Sequence, residues 1–234
     1  MQNIGILYNS FVCFTTGFVA FGAFYCLYRK RKIKKIEFSR GIDYFFLFSG
    51  IVWIFSGIGV FSNWIDRPEI GRLLFKWFIG GFVYIHLLPA FKYFSWSFFG
   101  KNKKMQWVFM GFFVIVDIAA LFALARYGFT QPEIGYWGAD VVPNALANNI
   151  FTFGIFLPGL ICILIELVKR YIRMKRTKNL QENQMFGFAL GFLIYAIGGI
   201  FDALGSIRSW MILLARSIIM LSSFVFYYFS TLEE

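Results

Sequence analysis

Residues 107–125 read WVFMGFFVIVDIAALFALA, nineteen residues with one ionisable side chain, Asp117, near the middle. A helix of that length rises about 28 Å at ~1.5 Å per residue, which matches a hydrocarbon core about 30 Å thick. Lys101, Lys103 and Lys104 bound it on one side and Arg126 on the other, as a transmembrane helix requires. Six further stretches of this kind lie at 4–28, 42–62, 73–99, 150–168, 185–204 and 210–229. Composition agrees: 59% of the 234 residues are hydrophobic and 15% charged, with 33 Phe, where a soluble domain holds roughly a quarter charged residues. The expected fold is all-α and polytopic, with seven transmembrane helices in one membrane domain spanning 1–234. No room is left for a separate soluble domain, and nothing at Met1-Gln2-Asn3 suggests a cleaved leader. Helices rather than strands are expected because basic segments recur after every second span and strand-like alternation is absent.

The same basic segments set an expected orientation. The loops after spans 1, 3 and 5 carry sixteen Lys and Arg, and those after spans 2, 4 and 6 carry four. Cytoplasmic loops are the Lys/Arg-rich ones, so the amino terminus is expected outside and the carboxyl terminus inside. Trp64, Trp137, Trp210 and Tyr136 fall at the outer ends and Trp107 at an inner one, where interfacial aromatics belong. The net charge of +11 sits in these loops. That placement argues for contacts with anionic lipid and against nucleic acid. The one loop of any size, 126–149, is expected on the outer side, either as a lid over an outward cavity or as an interfacial loop.

An offset of about 140 residues brings the basic run at Arg29 onto the one at Lys169, and Lys76 onto Arg216; an offset of 141 brings Gly50 and Gly57 onto Gly191 and Gly198. Halves 1–100 and 146–234, joined by the linker helix 107–125, would form a parallel three-plus-one-plus-three repeat. The glycines also have a simpler reading as points of close helix approach.

Ionisable groups inside spans are costly and mark candidate sites. Asp117 lies roughly 15 Å along its helix from Trp107. His86, the only histidine, falls at a depth within about 5 Å of it. A hydrogen-bonded Asp117–His86 pair is expected, with Tyr84 or Tyr195 as alternative donors. Such a pair serves either as a proton- or ligand-responsive switch or only as a fixed point of packing. Lys76, Arg216 and Asp202 lie near the outer boundary. Arg216 and Asp202 can pair, or the two cations can face an anionic ligand beneath the 126–149 loop.

Several chemistries find no residues here. A single histidine excludes bis-histidine haem ligation and makes a histidine-rich metal site improbable. Span 7 has no lysine for a retinal Schiff base. Cys13, Cys26 and Cys162 fall inside spans without metal or disulfide spacing. No catalytic residue, metal or cofactor is expected, and an enzyme is not.

The three-plus-one-plus-three plan with an outer amino terminus resembles the SWEET and PQ-loop transporters, although their membrane Pro-Gln pairs are missing. The segment from Gln184 through Gly187, Gly191 and Gly198-Gly199 to Leu204, preceded by a basic inner loop, is similar to the sixth span of prokaryotic seven-helix sensor modules found at the amino end of some histidine kinases. That resemblance implies a signal-input module with an outward or intramembrane ligand pocket, working with a separate cytoplasmic effector or membrane partner in a prokaryotic plasma membrane. The alternatives are a small-solute transporter, as the first resemblance implies, and a structural subunit of a membrane complex.

Overall fold

The computed structural model describes residues 4–34, 39–74, 85–128, 133–137, 139–140, 144–177, 179–204 and 210–232. Nine α-helices and one π-helical turn account for nearly all of them: α1 (Ile4–Lys34), α2 (Ser39–Trp64), α3 (Pro68–Leu74), α4 (Leu88–Phe99), α5 (Lys103–Tyr127), α6 (Ala145–Phe151), the π turn Thr152–Phe156, α7 (Leu157–Thr177), α8 (Leu180–Leu204) and α9 (Met211–Thr231). A two-residue antiparallel ladder pairs β1 (Glu133–Ile134) with β2 (Ala139–Asp140). Among the described residues six helical stretches are long and apolar enough to cross a membrane: α1, α2, α5, the continuous run from α6 through α7, α8 and α9. The chain is an integral membrane protein.

The difference between these six and the seven expected lies in the stretch 73–99. Residues 75–84, which include Lys76 and Tyr84, lie outside the described residues. On their amino-terminal side is α3, which turns back after Asp66 at φ 56°. A Cβ on Gly71 would stand 2.8 Å from the Gly59 carbonyl of α2, so α3 lies flush against the end of α2. On their carboxyl-terminal side is α4, which begins at Leu88 with Pro89 in its first turn, where proline is tolerated because an N–H at that position would have no helical acceptor.

Helix ends are fixed locally. Asn102 caps α5 by accepting the Met105 N–H at 3.2 Å, and Gly128 (φ 70°) stops it. Asn144 caps α6 through the Ala147 N–H at 2.9 Å while its amide donates to the carbonyls of Ala123 and Gly128. The start of α6 is thereby fastened to the end of α5, and the two run antiparallel.

The interior is built from rings set against glycines. Phe45 and Phe46 of α2, Phe94 of α4, Phe188 and Phe192 of α8 and Phe226 of α9 form a buried aromatic centre, with the Phe46–Phe226 and Phe45–Phe192 centroids each 4.9 Å apart. Glycine is what lets the backbones approach. A Cβ on Gly50 would stand 2.7 Å from the Phe21 ring of α1, and one on Gly187 only 2.1 Å from the Phe229 ring of α9. Gly191 likewise meets Phe226 of α9. Gly50 thus packs on the helix before its own and Gly191 on the helix after it. Helix α5 is the least enclosed span, with Val108, Ile115, Ile118 and Phe122 turned outward.

Candidate functional site

Polar side chains are buried at both ends of the bundle and between them, and α8 takes part at every level. At the end carrying the basic segments, Glu166 of α7 is fully enclosed. Its Oε1 accepts from the Tyr93 hydroxyl at 2.7 Å and from Arg170 Nε at 2.5 Å, and its Oε2 accepts from the Ser97 hydroxyl at 2.6 Å. Arg170 spans the cluster: Nη2 donates to Ser97 Oγ at 2.9 Å, and Nη1 donates to Glu182 of α8, also at 2.9 Å. Lys169 closes it from the side, donating to Ser97 and standing 3.8 Å from Glu166. Two acids face Arg170 and Lys169, with Arg173 3.9 Å from Glu182 at the rim. A buried carboxylate is tolerated when its lone pairs are all engaged in this way. The cluster joins α4, α7 and α8.

Nearby, the residue after α9 is fastened to the ends of α1 and α8. Lys30 of α1 and Gln184 of α8 both donate to the Leu232 carbonyl just past α9, Gln184 at 2.6 Å. Arg31 pairs with the buried Asp43.

In the middle, His86 Nε2 and the Tyr195 hydroxyl of α8 lie 3.2 Å apart. The imidazole stacks on Phe45 at 5.9 Å, and the Tyr195 ring meets Phe45 edge-on at 5.8 Å. Which of the two donates depends on the histidine tautomer.

At the opposite end Arg216 of α9, 5% exposed, donates from Nη1 to Asn9 Oδ1 of α1 at 2.9 Å and from Nε to Asp202 Oδ1 of α8 at 3.4 Å. Asn9 in turn donates to the Trp137 carbonyl at 3.0 Å. The connection after α5, with its small ladder, is therefore hydrogen-bonded to the residue that Arg216 holds.

Asp117 stands apart from all three levels. It belongs to the buried stripe of α5 with Phe113, Ala120, Ala123 and Leu124 and is 2% exposed, so it faces protein rather than lipid. The expected Asp117–His86 hydrogen bond does not form. His86 turns to α8 and α2, Tyr195 is engaged with His86, and Asp117 Oδ1 is buried without a hydrogen-bond partner.

Of the residues singled out in the sequence, the structure brings Arg216 to Asp202 and His86 to Tyr195, leaves Asp117 by itself, and does not describe Lys76 or Tyr84. Neither Glu166 nor Asn9 is among the residues singled out in the sequence. A signal for the first is nonetheless present: Glu166 with Lys169 and Arg170 has the i, i+3 and i, i+4 spacing of helical ion pairs. Among the described residues no cluster of three His, Cys, Asp or Glu suits a metal ion. Comparisons of the chain with protein-family models, with curated proteins and with solved structures give no match.

Proposed function

We propose that the chain is a membrane-embedded sensor or receptor-like signal-input module, with the amino terminus outside and the basic end of the bundle in the cytoplasm. The observation that carries this reading is the set of contacts made by α8. One unbroken helix bears Asp202, Tyr195 and Glu182, which meet α9, His86 and α7 in turn. Asp202 and Glu182 are twenty residues apart, about 30 Å along a helix, the thickness of the hydrocarbon core. A displacement of the outer connection pulls on Asn9 through the Trp137 carbonyl, then on Arg216, then on Asp202. Because Gly187 and Gly191 seat the Phe229 and Phe226 rings of α9, α8 and α9 move as a pair. The motion then emerges at the inner end as a changed Arg170–Glu182 contact. Helix shifts of about 1–2 Å are the ordinary scale of such switching.

The orientation rests on the sixteen-to-four bias of basic residues between alternate loops. The same bias supports contact between the inner loops and anionic lipid of a prokaryotic plasma membrane. A seventh crossing would be completed by the stretch 73–99. The effector is a separate cytoplasmic or membrane protein that reads the inner ends of α8 and α9. The test is affinity purification of the full chain from its native membrane, alongside a solute-flux assay in liposomes. Recovery of a stoichiometric cytoplasmic effector with no flux is the expected result. Solute flux by the purified chain alone would replace this reading with the transporter.

A further inference from the structure

The seam between α5 and the helix opposite it holds a buried carboxylate oxygen without a hydrogen-bond partner and, level with it, a turn wound in π register. The antiparallel register is set at two points. A Cβ on Gly154 would stand 2.4 Å from Val116 Cγ1, and Ala123 shares a buried cluster with Ala147. The same register puts Asp117 level with Phe153, within the π turn. Phe113, one helical turn from Asp117, is held by stacking on Phe91 at 3.6 Å and 11°. The carboxyl group is therefore fixed in depth, and its Oδ1 is buried with no partner.

The π turn offers backbone carbonyls. The Leu157 N–H reaches back five residues to the Thr152 carbonyl. The Phe153 carbonyl is passed over by that bond. Its donor in an α register would be Leu157, already used, and in a π register it would be Pro158, which has no N–H. Single π turns within α-helices recur at functional sites for this kind of reason.

We infer that Asp117 and the carbonyl oxygens of the Thr152–Phe156 turn form a binding site for a small monovalent cation of the sodium class. The charge balance favours this ligand. One carboxylate cancels one positive charge, whereas a divalent ion in apolar surroundings would keep an uncompensated charge. Oxygen donors suit hard cations, and carbonyls released where a membrane helix departs from α geometry coordinate sodium in membrane proteins. A bound cation engages the orphaned Oδ1 and neutralises a carboxylate that would otherwise be costly at this depth. The inference rests on the α5 seam alone and stands whether the chain senses or transports.

The experiment uses the purified full chain in detergent at mildly alkaline pH. Equilibrium binding of radioactive sodium is measured, together with thermal melting in sodium chloride and in choline chloride of equal ionic strength. The expected result is saturable sodium binding at one ion per chain and a higher melting temperature in sodium. Asp117→Asn should lose both while melting like the unaltered chain in choline. Glu69→Gln, an exposed substitution on α3, should keep both. Pro158→Ala returns a donor to the Phe153 carbonyl and should weaken binding roughly tenfold or more. If the unaltered chain binds no sodium and melts identically in the two salts, the inference is overturned and Asp117 is a neutral acid of packing only. Retention of binding by Asp117→Asn overturns it equally. Should that variant not fold, the unaltered chain and Pro158→Ala decide the matter.

Discussion

Two of the acids buried in this bundle are treated in opposite ways. Glu166 is enclosed by Tyr93, Ser97 and Arg170, so each of its oxygens has a donor. Asp117 is almost as deeply buried, yet its Oδ1 has none. Burial alone does not separate a structural acid from a functional one; the supply of donors does. The satisfied acid sits where α4, α7 and α8 converge and holds them in one arrangement. The unsatisfied acid lies on the buried stripe of α5, level with the π turn of the opposite helix.

Glu166 is where this contrast is most exposed to test. Glu166→Ala should remove the partner of Arg170 Nε and strand Tyr93 and Lys169, at a cost of about 3–5 kcal/mol, the usual range for breaking a buried ion pair. Melting followed by labelling of the buried Cys13 and Cys162 thiols should show a large fall or no folded protein. A cost as small as that of Asp117→Asn would erase the distinction. Packing without charge should come next. Gly187→Ala drives a methyl into the base of the Phe229 ring and should cost about 1–3 kcal/mol in the same assay, by prying α8 from α9. Asp202→Asn is milder, because the Asp202 side chain is 30% exposed and such pairs contribute roughly 0.2–1 kcal/mol. The smallest effect is expected from Asp117→Asn in a sodium-free medium, within about 0.5 kcal/mol, since no hydrogen bond to Oδ1 is lost.

How much of this can be read from the residues differs by element. The spans around Trp107, Ile42 and Met185 are legible because hydropathy over twenty residues measures the one property a bilayer selects. The inward direction of Asp117 follows from cost alone. The partner of His86 does not, because depth along a helix says nothing about azimuth, and the turn at 86–87 ahead of Pro89 sets that direction. The doubling back of α3 is hidden for a similar reason, as Asp66 takes a positive φ that polar residues adopt without any strong pattern. Glu166 resembles a boundary residue because it stands at the edge of an apolar window; Tyr93 and Ser97 reach it only through packing between helices. The offset of 141 aligns glycines whose surroundings differ, since Gly50 meets the preceding helix and Gly191 the following one.

In the proposed reading helix α8 has the central part, carrying a change from Asp202 to Glu182. Spin labels at Thr177 and Thr231, both exposed at the basic end, report the distance between the ends of α7 and α9 there by pulsed electron resonance. Asp202→Asn alters only the opposite end of the bundle, about 30 Å away. The expected result is a shifted or broadened distance distribution in Asp202→Asn, reproduced by Glu182→Gln. A distribution in Asp202→Asn that superimposes on that of the unaltered chain would contradict the coupling.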